Sequence, residues 1–171
     1  MPMRSEKGFT LVEIMIVIAI IAIGTIIAGS NIFDWITHNH SVGFHRTIAQ
    51  TMEEARNRAV SSQRQHRVII DATGDSVSLE RGDKGAGSTT WTKVLPTITA
   101  PHRSSIDNVL TTKGTVTTNT SAGTVNITVN PACDTFPLDL VRIYISNDLG
   151  EAWTVRVFGW TSRVRVENGT T

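Results

Sequence analysis

Hydrophobic and polar positions follow three different rhythms along this chain. From Ile14 through Phe33 no residue carries a charge, and isoleucine supplies most of the apolar side chains up to Ile27. A run apolar on every side has no single stripe to lay against a partner layer. About twenty helical residues at roughly 1.5 Å each reach about 30 Å, the hydrocarbon thickness of a bilayer. β-Branched isoleucine is a middling helix former in water, but in lipid the backbone must satisfy its own hydrogen bonds, which favours the helix. After Asp34 the rhythm changes. Ile36, Phe44, Ile48, Met52, Ala55 and Ala59 recur at helical spacing, with Gln50, Glu53, Glu54, Arg56 and Asn57 on the other faces. This predicts an amphipathic stripe lying on a sheet and a rod that ends near Ser61–Ser62. Gly43 weakens its middle by about 1 kcal/mol relative to alanine.

From Arg67 the period is two. Val68 and Ile70 alternate with Ile69 and Asp71, and Ala72-Thr73-Gly74-Asp75 turns the chain into Val77 and Leu79 as a hairpin. Gly82–Thr90 is rich in glycine and reads as an exposed loop. Trp91, Val94, Leu95 and Ile98 suggest a further strand ended by Pro96 or Pro101. Strands are then expected at 115–118, 124–130, 140–146, 153–158 and 162–167, with Asn147–Glu151 turning the last hairpin. Seven or so short strands with little helix after residue 62 predict an α+β chain. A long N-terminal helix, membrane-spanning in its first half and amphipathic in its second, packs on a β-rich C-terminal domain of antiparallel sheets.

Composition narrows the chemistry. The 171 residues are 40% hydrophobic and 18% charged, with a formal charge of +1. That excludes a strongly basic nucleic-acid coat and an acidic solubilising tail. The single cysteine, Cys133, excludes an internal disulfide; it reads as a structural thiol, with intermolecular pairing in an oxidising compartment as the other reading. Among the five histidines, His38 and His40 point to different helix faces, and His66 and His102 lack a partner at ligand spacing. No metal and no cofactor are expected. Asp148 and Glu151 read as turn residues in preference to calcium ligands. No phosphate loop, catalytic triad spacing or nucleophile elbow is present, so catalysis is not expected.

The N-terminal flank carries Arg4 and Lys7. Positive flanks stay cytoplasmic, which sends the remainder across the membrane. The segment fits a signal anchor, or a secretory signal peptide ending at Ala28-Gly29-Ser30. Glu13 suggests a third reading. A carboxylate inside an apolar run costs about 2.5–3.5 kcal/mol at mid-bilayer and less near an interface. It either sits at headgroup depth or awaits a cationic partner.

Lys7-Gly8-Phe9-Thr10-Leu11-Val12-Glu13-Ile14 resembles the processing site of type IV prepilins and type II secretion pseudopilins. The resemblance implies that a prepilin peptidase cuts between Gly8 and Phe9 and methylates the new amino terminus on Phe9. It also implies an assembly role for Glu13, whose carboxylate would meet the Phe9 ammonium of a neighbouring subunit; in a low dielectric such a pair offsets its burial cost. Where many members carry a proline about twenty residues into the mature chain, this one has Gly29-Ser30, and small residues there permit a kink or close packing. Glu54-Ala-Arg-Asn-Arg-Ala-Val-Ser-Ser-Gln followed by Arg67-Val-Ile-Ile-Asp resembles the H-class minor pseudopilins and related minor pilins, the GspH/FimT type.

The organisation so implied is a leader at residues 1–8, a helix at 9–62 that is transmembrane over about 9–33, and a periplasmic head at 63–171. The chain would pass once through the inner membrane, leader cytoplasmic, and move into a periplasmic or extracellular filament. Its partners would be the prepilin peptidase, other pilin or pseudopilin subunits and inner-membrane lipid. The leading role is a minor subunit of a type II secretion pseudopilus; the alternative is a type IV minor pilin that binds DNA for uptake or supports pilus assembly or adhesion. Arg163 and Arg165 alternate with Val164 and Val166, placing both guanidinium groups on one strand face. This resembles the Gly-Arg-x-Arg ending of minor pilins implicated in DNA uptake, with Ser162 in place of the glycine. An ordinary solvated strand face explains the same residues, and the near-neutral charge weighs against DNA as a partner. Removing residues 1–8 takes away Arg4, Glu6 and Lys7 and leaves the side chains balanced at zero net charge.

Overall fold

The computed structural model describes residues 8–132 and 138–169, and within the helix the side chains of all but 27–31. Cys133 lies outside the described residues. Two compact units divide the chain, Met1–Ile36 and Thr37–Thr171. The helix α1 runs from Leu11 to Ser62. Thr10 caps its start, its carbonyl and hydroxyl oxygens accepting from the Glu13 N–H at 3.1 and 3.2 Å. Its end is set by Gln63, which turns into the left-handed region at φ 52°, the conformation that closes many helices. Helical backbone continues across Gly29-Ser30.

In the first unit every described large apolar side chain is solvent-exposed, from Phe9 at 79% to Ile36 at 36%. Among the described residues no helix is long and apolar enough to cross a membrane; the apolar run with described side chains stops at Ile26.

The second unit holds the core. Phe44, Ile48, Met52, Ala55 and Ala59 are buried along one stripe of α1, as the spacing predicts. Ile36 is not part of it: it lies in the first unit and is exposed. The buried stripe is instead prolonged by polar Thr37, Ser41 and His45. Two antiparallel sheets complete the core. The first has the order β3-β2-β1-β7, from Trp91–Lys93 (β3), Ser76–Gly82 (β2), His66–Asp71 (β1) and Thr124–Val129 (β7), with Ile98–Thr99 (β4) also paired to β2. The second has the order β10-β9-β8-β5-β6, from Arg163–Asn168 (β10), Ala152–Phe158 (β9), Leu140–Asn147 (β8), Ser104–Lys113 (β5) and Val116–Thr120 (β6). Ten strands among the described residues exceed the seven or so expected.

The expected strand after Trp91 is two short ones, β3 and β4. The β8–β9 turn is not the last, because β10 folds back on β9. The longest strand, β5, was not expected at all. Its register shifts between Ile106 and Asn108, so Asp107 breaks the alternation that would announce it. Each fully buried aliphatic side chain contributes about 1.5–3 kcal/mol, and the inward positions of both sheets, such as Ile70, Leu79, Ile127, Ile143 and Val155, are completely buried.

Candidate functional site

The N-terminal motif occupies the lead-in to α1 and its first turn. Gly8, Phe9 and Thr10 precede the helix, and Phe9 is 79% exposed. A Cβ at Gly8 would meet nothing within 4 Å, so the fold does not require glycine there. Its use lies in an unhindered, flexible backbone. Thr10-Leu11-Val12-Glu13 has the spacing of a capping box. The structure shows the half in which the Thr10 hydroxyl accepts from the Glu13 N–H. Glu13 therefore stands in the first turn, where unpaired N–H groups and the helix dipole favour negative charge. It forms no ion pair among the described residues. The cap is a role that the sequence already signals through Thr-x-x-Glu.

The other candidates lie in the second unit. Asn147–Glu151 does form the turn between β8 and β9, with Gly150 at φ 78°. His38 Nδ1 lies 2.8 and 3.0 Å from the two Glu151 carboxylate oxygens, and Asn147 Nδ2 donates to Glu151 at 2.8 Å and to Ser41 Oγ at 3.2 Å. Asp148 accepts from Arg103 Nε at 3.2 Å, and Arg103 Nη1 also donates to Thr37 Oγ1 at 3.3 Å. Both acidic side chains of this turn are thus engaged by protein donors. The Asn147 amide, and after it His38, holds the Glu151 carboxyl below its usual range, against an opposing effect of burial. His45 stacks on Trp153 with ring centroids 5.2 Å apart; burial, then nearby Arg46, pushes its pKa down. His66 is buried and shifted down for the same first reason. Among the described residues no group of three or more histidine, cysteine, aspartate or glutamate side chains could hold a metal. This cluster ties α1 to the β8–β9 turn.

Arg163 and Arg165 leave the same face of β10, both exposed, while Val164 and Val166 turn toward the core. They are not equivalent. Arg165 Nε lies 3.5 Å from Glu167, which also meets Arg156 Nη2 at 3.0 Å. Arg163 borders a cleft of about 280 Å³ lined by Glu53, Arg56, Asn57 and Ser162. Neighbouring Arg142 and Arg156 escaped the sequence reading. Each alternates correctly within its own strand, but only the pairing of β8, β9 and β10 brings them beside Arg165.

Residues 3–29 match the model of the prokaryotic N-terminal methylation motif. No curated protein matches the chain. Among solved structures, the fold is similar to that of the minor pseudopilin EpsH from the type 2 secretion system of Vibrio cholerae. The TM-score is 0.55 at 12% identity, covering 77% of this chain and 99% of that one. The chain thus joins an N-terminal methylation motif to a fold similar to that of a minor pseudopilin.

Proposed function

We propose that this chain is a structural, non-catalytic minor subunit of a type II secretion pseudopilus. The observation that carries the reading is the methylation motif over residues 3–29, which runs into the long helix of a pseudopilin-like fold. In this reading a prepilin peptidase cuts between Gly8 and Phe9 and methylates Phe9. The apolar part of α1 inserts once in the inner membrane, and the head faces the periplasm. Side chains such as Leu11, Ile20 and Ile26, each at least 65% exposed, require an apolar surrounding. Lipid supplies it before assembly and neighbouring helices supply it afterwards. Because lipid is as apolar as those helices, packing and the Glu13–Phe9 charge pair must drive the transfer. A DNA-uptake role has narrower support, since it rests on Arg163 and Arg165 and Glu167 already engages the second.

Mass spectrometry of the chain purified from membranes should give an N-terminus at Phe9 carrying one methyl group. A mature terminus at Asn31 would mark a signal peptide and overturn the reading. Glu13→Ala should still insert in the membrane yet be lost from filaments; unchanged incorporation would remove Glu13 from the mechanism.

A further inference from the structure

The outer face of the second sheet carries a row of arginines that the proposed function leaves without a role. Arg142 on β8 stands in register with Arg156 on β9, and Arg156 stands in register with Arg165 on β10. Alternation turns Val141, Ile143, Val155 and Val157 into the core and therefore sets these three arginines on the opposite face. Like charges directly opposite each other on neighbouring strands oppose folding. One carboxylate, Glu167, pairs with Arg156 and Arg165, and no ion pair reaches Arg142 among the described residues. The Nε atoms of Arg142 and Arg156 are shielded from water and have no hydrogen-bond partner there, a costly state for a charged group. In the next register row on this face Phe158 stands opposite Leu140 on β8 and opposite Arg163 on β10. Phe158 is 42% exposed, and Trp160, in the turn that follows, is 75% exposed.

We infer that this face is a docking surface for an acidic amphipathic helix of a partner protein, laid across the strands. Neighbouring strands are about 4.8 Å apart, so the arginine row has a step close to the roughly 5–6 Å between helix positions i and i+3 or i+4. Same-face residues along one strand recur only every ~6.6 Å, which fits an extended chain less well. A helix with carboxylates on one line and apolar side chains on the adjacent line meets the arginine row and the Phe158–Leu140 pair together, with Arg163 at the end of that second row. The balanced overall charge supplies no long-range field for a long polyanion, so recognition here is local and favours a protein carboxylate row over a nucleic acid.

The test uses the full chain in zwitterionic detergent micelles. The probe is a labelled helical peptide of about twenty residues, with glutamate at i, i+4 and i+7 beside a leucine line. Fluorescence anisotropy should show binding that weakens with salt and falls about tenfold or more in Arg142→Gln or Arg156→Gln. A peptide with glutamine for glutamate should bind at least about tenfold more weakly. Arg142→Gln removes a like-charge contact, so its melting temperature should be unchanged or higher, separating lost docking from lost folding. Equal binding of the two peptides, or insensitivity to both arginine substitutions, overturns the proposal. So does arginine-dependent binding of single-stranded or duplex DNA without binding of the acidic helix.

Discussion

His45 shows how one buried residue imposes a condition on the solvent. Buried on α1 and stacked on Trp153, it has its pKa pushed below the ordinary value by burial and then by Arg46. The unfolded chain gives it the ordinary value of 6.5. Around and just below that pH the unfolded state therefore binds more protons than the folded one, so stability rises with pH through this window. The contribution is complete above 6.5 and is lost as pH falls from there toward the lower folded value. His66 adds in the same direction. Glu151 acts lower: its folded pKa is depressed from 4.5, so its contribution is present above that value and disappears as pH falls through the folded one. Urea midpoints from about pH 8 to about pH 5 should be flat at first and then decline below about 6.5. His45→Phe, which keeps an aromatic ring for Trp153, should shrink that decline. An unaltered slope in this variant would assign the pH dependence elsewhere.

At the scale of elements, legibility followed the regularity of each local pattern. The β1–β2 hairpin was visible because its turn chemistry is local. Asp71 Oδ1 accepts from the Thr73 and Gly74 N–H groups at 2.9 and 3.1 Å, closing the turn where the sequence marks one. β5 was hidden because its bulge interrupts period two, although pairing with both β8 and β6 makes it an interior strand of its sheet. The helix stripe was legible over Phe44–Ala59. It was misjudged at its N-terminal end because tertiary packing there selects Thr37, Ser41 and His45, which find partners, over apolar Ile36.

The turn from β9 to β10 gives an element-scale prediction. A Cβ at Gly159 would overlap the Leu138 carbonyl oxygen and come within 2.9 Å of Asp139 Cα, where β8 begins. Both obstacles are backbone, so Gly159→Ala should destabilise by about 1–3 kcal/mol or more. At Gly43 a Cβ meets nothing within 4 Å inside α1, and Gly43→Ala should stabilise by about 0.5–1 kcal/mol. Chemical denaturation of the two variants should thus shift in opposite directions, and a common sign would contradict the packing described.

For the whole molecule, the decisive fact is where burial begins. Among the described residues every buried one lies at Thr37 or later, and both sheets and the α1 stripe that covers them belong to the second unit. The first unit contributes apolar surface that remains exposed. Folding free energy comes mainly from apolar area removed from water, so the two units make different demands: one can form its core by itself, and the other needs an apolar environment from outside. The sequence conveyed this division through its change of rhythm near Asp34. It could not convey the arginine row, because register between strands is set by turn lengths and a bulge that no single strand encodes. A chain beginning at Asn31 should therefore be soluble and unfold cooperatively in urea. Its midpoint should match that of the full chain in detergent to within about 1 kcal/mol of stability. Broad, non-cooperative unfolding of the shortened chain would mean that the first unit supports the core, against the burial pattern. Retention of the pH dependence set by His45 would show in addition that the α1–Trp153 contact forms without it.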